Sequence, residues 1–151
     1  MSVKIGDTAP DFTLSSQSGD MVSLHDLLGR KAVVLFFYPK DGTPGCTMES
    51  CAFRDSYEDF KDAGAEVVGI SSDGVASHQE FAGRHNLPFL LLSDEGGKIR
   101  SLYGVSATLG IFPGRVTYLI GKDKVVRNIF SSQLDIQRHV AESLKILKDG
   151  V

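Results

Sequence analysis

The chain has 151 residues, of which 42% are apolar and 23% are charged, and these values are typical of one soluble globular domain spanning residues 1–151. The formal net charge is −3 and the basic residues form no cluster, which argues against nucleic acid as a main partner. The longest apolar run, residues 32–38, is too short to cross a bilayer, and the N-terminus lacks the apolar core of a secretory signal. We therefore expect no membrane partner and a soluble protein from a reducing compartment.

Predicted strands and helices alternate along the chain. Residues 11–24 alternate loosely around a Gly19–Asp20 turn and predict a short hairpin. Buried strands or apolar runs are predicted at residues 31–38, 66–71, 88–92, 115–120 and 125–130. Helices are predicted from residue 44 to about residue 63, at 77–84, at 98–103, and in a C-terminal segment with Ile136, Val140, Leu144 and Leu147 on one face.

This order of elements predicts an α/β fold with a central mixed sheet and helices on both faces. A thioredoxin-like fold fits the order, and a flavodoxin-like fold is the alternative. In either fold the loop after the first central strand lies at the carboxyl edge of the sheet, where such folds place their sites. That loop leads to Cys46.

The stretch TPGCTMESC, residues 43–51, contains both cysteines of the chain. Thr43 is a favourable N-cap and Pro44 suits the first helical position, so Cys46 is predicted in the first turn of a helix. There the helix dipole and unpaired backbone N–H groups favour a thiolate, which is the condition for a reactive cysteine. Arg115 could add a positive charge from elsewhere in the chain. The alternative is a buried structural thiol.

Cys51 is predicted on another face of the same helix. An ideal helix places residues five apart roughly 140° around the axis, with Cα atoms roughly 8.7 Å apart. A disulfide does not bridge Cα atoms more than about 7 Å apart, so the two thiols could pair only after the first turns unwind. Gly45 lowers the cost of that unwinding. The separation suits two-stage chemistry, in which a sulfenic acid forms first and then condenses with a second thiol. A bystander role for Cys51 is the alternative, and the spacing does not fit a zinc site.

Several other polar residues have more than one interpretation. An inward stripe is predicted at Cys46, Glu49, Phe53, Tyr57 and Phe60, yet Glu49 could orient Arg115 or lie at the surface. Arg54 and Asp55 could support the active site, but a surface ion pair between them is the default expectation. The histidines show no ligand spacing and are expected at the surface rather than at a metal; they are His25, His78, His85 and His139.

The residues around Cys46 resemble the active-site signature of peroxiredoxins, Pro-x-x-x-Thr/Ser-x-x-Cys, here Pro39, Thr43 and Cys46. The following CTMESCAFRDSYEDFKDAGAEVVGISSD is similar to the bacterioferritin-comigratory, or Q-type, subfamily, as are GDTAPDFTL and LLSDEGGKIRSLYGV. The likeness covers essentially the whole chain. It implies a thioredoxin-like fold and a thiol peroxidase that needs no metal or organic cofactor.

The resemblance also implies a role for each matching residue. Cys46 matches the peroxidatic cysteine, which attacks the O–O bond, and Cys51 matches the resolving cysteine of one branch of the subfamily. Thr43 matches the hydroxyl residue that hydrogen-bonds the sulfur and the peroxide, and Pro39 matches the proline that shields the sulfur from water. Arg115 matches the arginine that stabilises the thiolate and the transition state.

Two departures from the typical dimeric peroxiredoxins refine this prediction. Those proteins have Val-Cys-Pro at the site and a C-terminal resolving cysteine, whereas this chain has Gly45-Cys46-Thr47 and no cysteine after Cys51. The likeness therefore implies an intramolecular Cys46–Cys51 disulfide, a monomer, and thioredoxin or a related dithiol as reductant. Two other functions remain: a dithiol–disulfide oxidoreductase, which would normally carry Cys-x-x-Cys, and a redox sensor that reacts once and binds a partner.

Overall fold

The fold is taken from a computed structural model of the chain, which describes residues 3–105, 107–108, 112–113, 115–132 and 135–150. The strands are β1 Thr13–Ser16, β2 Met21–Ser23, β3 Ala32–Phe37, β4 Ala65–Ser71, β5 Leu90–Ser93, β6 Ala107–Thr108, β7 Phe112–Pro113, β8 Val116–Ile120 and β9 Val126–Ser131. The helices are α1 Leu24–Leu28, α2 Pro44–Asp55, α3 Tyr57–Asp62, α4 Val75–His85, α5 Lys98–Tyr103 and α6 Ile136–Lys148.

Seven strands form one mixed sheet in the order β2-β1-β5-β4-β3-β8-β9. The central strands β3, β4 and β5 are parallel, whereas β8 pairs antiparallel with both β3 and β9. A flavodoxin-like sheet is parallel throughout, so the antiparallel β8 and β9 rule out that alternative. The predicted thioredoxin-like fold and the predicted hairpin of β1 and β2 are confirmed.

Helices cover both faces of the sheet, as predicted. All six side chains of β3 are buried, and successive side chains point to opposite faces. Val33, Leu35 and Phe37 pack with side chains of α1 and α5 on one face. Val34 and Phe36 pack with side chains of α2, α3, α4 and α6 on the other. No helix in the described part of the chain is long and apolar enough to cross a membrane.

The helix predicted from residue 44 to about residue 63 is broken at Ser56. This residue has φ −103° and ψ 7°, outside the helical range, and so separates α2 from α3. The apolar stripe continues across the break, because the rings of Phe53 and Phe60 lie 5.7 Å apart. A pattern of apolar spacing therefore could not reveal it. The predicted cap after α3 is confirmed, since Gly64 adopts a left-handed φ of 83°.

Candidate active site

The loop between β3 and α2 places Cys46 at the carboxyl edge of the sheet, as predicted. Thr43 is the N-cap of α2 and has an extended backbone, and Pro44 opens the first turn. The thiol of Cys46 is free and fully buried in that turn. The amides of a first helical turn have no intrahelical acceptor, so a negative charge on this sulfur is favoured there.

The side chain of Thr43 does not cap the helix in the way its position predicts. Its hydroxyl instead donates a hydrogen bond of 2.9 Å to the carbonyl oxygen of Lys40, within the same loop. The hydroxyl oxygen keeps its lone pairs for another donor.

Arg115 reaches Cys46 because of the register between β8 and β3. Val116 pairs with Phe37, so the residue before β8 arrives beside the loop that follows β3. The buried guanidinium places Nη2 3.5 Å from the Cys46 sulfur. An added Cβ at Gly45 would lie only 3.0 Å from the same Nη2, so the close approach of the guanidinium leaves little room for a side chain at that position.

Glu49 is fully buried, so the interpretation as a surface residue is wrong. Its Oε1 accepts a hydrogen bond of 2.8 Å from Nη1 of Arg115, and this contact orients the guanidinium toward Cys46. Burial raises the pKa of Glu49 to about 7, and the attraction of Arg115 offsets only part of that effect.

Cys51 lies on another face of α2, as predicted. It is half-buried and its thiol is free, whereas its neighbour Met48 is 55% exposed. Asp55 and Glu58, further along the chain, are also exposed. With α2 intact the two thiols are therefore separate.

The loop is anchored by a network that the sequence did not reveal. The carboxylate of Asp41 accepts a 2.5 Å hydrogen bond from the Tyr38 hydroxyl and a 2.8 Å bond from the Ser77 hydroxyl. It also lies 2.7 Å from Nδ1 of His78. Nε2 of His78 lies 3.0 Å from the Leu92 carbonyl oxygen, which can only accept. These bonds tie the loop that carries Pro39 and Thr43 to helix α4.

The surface placement predicted for the histidines is wrong for His78 and His139, which are both fully buried. Asp41, Asp73 and His78 offer possible metal-ligating atoms within 4.8 Å of one another, the one such group among the described residues. All three are engaged in hydrogen bonds that hold the loop, so we assign them that structural role. The predicted ion pair of Arg54 with its neighbour Asp55 is confirmed at 3.0 Å.

Comparisons with known proteins extend beyond the site. A model of the AhpC/TSA family matches residues 5–129. Chloroplastic peroxiredoxin Q of Oryza sativa subsp. japonica is 55% identical over 147 residues, which are 97% of this chain and 67% of that protein. The crystal structure of peroxidoxin BcpB from Mycobacterium tuberculosis matches with a TM-score of 0.92 and 38% identity, over 99% of both chains. A bacterioferritin comigratory protein of Xanthomonas campestris matches with a TM-score of 0.86 and 28% identity, over 97% of this chain and 96% of that one.

Proposed function

We propose, from the premise that this chain belongs to the AhpC/TSA family and is a peroxiredoxin, that it reduces hydrogen peroxide and organic hydroperoxides through Cys46. One observation carries this proposal. The buried sulfur lies in the first turn of α2 with the Arg115 guanidinium 3.5 Å away. Both features favour a thiolate over a thiol. The bacterioferritin comigratory protein of Xanthomonas campestris is described as having alkyl peroxide reduction activity.

In the first step the Cys46 thiolate attacks one oxygen of the peroxide. The S–O bond forms as the O–O bond breaks, so the sulfur is oxidised to a sulfenic acid. The other oxygen departs with the electron pair and takes a proton from water. Arg115 and the first-turn amides of α2 are donors suited to the charge that develops on this oxygen.

Thr43 binds the substrate, and Pro39 protects the sulfur. Because the Thr43 hydroxyl donates to the Lys40 carbonyl, its oxygen can accept the O–H of a bound hydroperoxide. Pro39 lies in the same loop and is half-buried. It has no N–H, and it shields the sulfur from water. The network around Asp41 keeps both residues in place.

In the second step the sulfenic acid of Cys46 condenses with the Cys51 thiol, forming the disulfide and releasing water. The first turns of α2 must unwind for this. Gly45 weakens the first turn, and the break at Ser56 allows α2 to unwind without disturbing α3. Thioredoxin or a related dithiol then reduces the disulfide, and the protein acts as a monomer. The plant relatives are named as chloroplastic, which supports a plastid as one possible compartment beside the bacterial cytoplasm.

The test is continuous turnover of the Cys51→Ser variant with thioredoxin, thioredoxin reductase and NADPH. Loss of turnover, with the first oxidation of Cys46 retained, supports the resolving role. Turnover at the wild-type rate would show that Cys51 does not resolve the sulfenic acid. Cys46→Ser should not react with peroxide. Repeated turnover of the wild type also separates a peroxidase from a sensor, which reacts once.

A further inference from the structure

The Arg115 guanidinium contacts two groups in the site that can carry a negative charge. Arg115 donates through Nη1 to Glu49 at 2.8 Å and through Nη2 to the Cys46 sulfur at 3.5 Å. All three side chains are buried, so water screens their charges little. When Cys46 and Glu49 are both ionised, the cluster carries one more negative charge than positive. An unmatched charge of this kind is costly in a buried site.

The far side of Glu49 faces His139 of helix α6. Oε2 of Glu49 has no hydrogen-bond partner among the described residues and lies 3.4 Å from Nδ1 of His139, which is also fully buried. Nε2 of His139 lies 2.8 Å from the Ser132 carbonyl oxygen. That oxygen can only accept, so Nε2 carries a hydrogen and Nδ1 is the nitrogen that can gain or lose a proton.

The Thr117 hydroxyl can hydrogen-bond Nδ1 of His139 in either protonation state of the imidazole. Its hydroxyl oxygen lies 2.7 Å from Nδ1 of His139. The hydroxyl can donate when Nδ1 is bare and accept when Nδ1 carries a proton. The imidazole can therefore change its charge without moving.

We propose that His139 is a positioning residue of the peroxidase site, which shares one proton with Glu49. Because Glu49 is neutralised in this way, the positive charge of Arg115 stabilises the Cys46 thiolate. With that proton present, Glu49 and His139 together are neutral, and Arg115 balances the thiolate. When the proton is lost, the carboxylate of Glu49 competes with the sulfur for Arg115. The proposal rests on the peroxidatic role proposed for Cys46.

The surroundings indicate where the proton resides. Burial raises the pKa of Glu49 to about 7. Burial lowers the pKa of His139. The hydrogen bond to the Ser132 carbonyl oxygen raises this pKa, and the charge of Arg115 lowers it. The proton therefore prefers Glu49 and is lost near neutral pH. The other groups facing the pair are Cys46 on α2, Arg115 just before β8, Thr117 on β8, Phe130 on β9 with its ring 4.7 Å from the imidazole, and Asp135 before α6. The charge of Asp135 favours the protonated imidazole.

The expected consequence is an alkaline limb in the rate of the first oxidation. The second-order rate constant for Cys46 and hydrogen peroxide should fall as the pH increases through about 7. The fall reflects Glu49 drawing Arg115 away from the sulfur. A site without the shared proton would instead reach a plateau.

The experiment is stopped-flow measurement of that rate constant across the neutral pH range for the wild type, His139→Asn, Glu49→Gln and the double variant. Asparagine can keep a hydrogen-bonding group for Thr117 but does not titrate. We expect His139→Asn to shift the alkaline limb to lower pH by about one unit, a tenfold change in proton affinity. We expect Glu49→Gln to abolish the limb, and His139→Asn to have no further effect on the profile in that background.

Three results would overturn the proposal: a uniform loss of rate at every pH in His139→Asn, an alkaline limb that persists in Glu49→Gln, or a wild-type plateau. His139→Gln provides a second variant if His139→Asn does not fold. His25→Asn, which changes a half-buried histidine on the opposite face of the sheet, should leave the profile unchanged. Slow oxidation of the wild type at every pH would instead contradict the proposed function itself.

Discussion

At the scale of single residues, the site depends on how closely Arg115 approaches the first turn of α2. The guanidinium packs closely against Gly45, contacts the Cys46 sulfur and is hydrogen-bonded to Glu49. The position of Cys46 in the first turn of α2 was predictable because a helix start has local sequence signals. The place of Arg115 was not, since the pairing of β8 with β3 brings it there. The partnership of Glu49 with His139 has no local signal, because the two residues lie on different helices.

Gly45→Ala tests this close approach. A Cβ at this position would lie 3.0 Å from Nη2 of Arg115 and should displace the guanidinium from the sulfur. Alanine also stabilises a helical turn, by about 1 kcal/mol relative to glycine. We therefore expect slower oxidation of Cys46, measured by stopped flow, without loss of thermal stability. Gly83→Ala in α4 is the matched control, because a Cβ there has no neighbour within 4 Å, and it should oxidise at the wild-type rate. Unchanged oxidation of Gly45→Ala would contradict this account.

At the scale of elements, the loop after β3 and the helix α2 have different supports. The loop is hydrogen-bonded to α4 through Asp41 and His78, whereas α2 is separated from α3 at Ser56. This arrangement suits a rigid substrate loop beside a helix that can unwind. The strands and most helices were predictable from their apolar spacing. The helix α1 and the strands β6 and β7 were not, because they are too short to establish a period.

Asp41→Asn tests the anchoring of the loop. Burial would raise the pKa of Asp41, but hydrogen bonds from His78 and Tyr38 outweigh it and hold the pKa below 3.8. The stability this carboxylate contributes is therefore present above about pH 4 and is lost as the pH falls through its lowered pKa. We expect Asp41→Asn to lower the free energy of unfolding by about 1–3 kcal/mol at neutral pH. Urea denaturation should show the difference from wild type shrinking in acid, and a constant difference would contradict the assignment.

At the scale of the whole molecule, the burial of Glu49 links folding to pH. Its pKa is raised from 4.5 to about 7, so the folded state binds a proton more tightly than the unfolded state does. The contribution of Glu49 to the free energy of unfolding is fully present below pH 4.5 and is lost as the pH rises through about 7. Glu49→Gln removes this dependence. Between mildly acidic and mildly alkaline pH we expect the wild type to lose on the order of 3 kcal/mol relative to Glu49→Gln. Parallel urea-denaturation profiles for the two proteins would contradict this.

The central claim is that Cys46 is an activated thiol whose sulfenic acid Cys51 resolves within one chain. An intact-mass time course tests it most directly, on fully reduced protein treated with one equivalent of hydrogen peroxide. We predict loss of two hydrogens from a single chain, far faster than free cysteine reacts with peroxide, and a Cys46–Cys51 disulfide in the peptide map. A slow or absent change in mass, or a disulfide between two chains, would contradict the account.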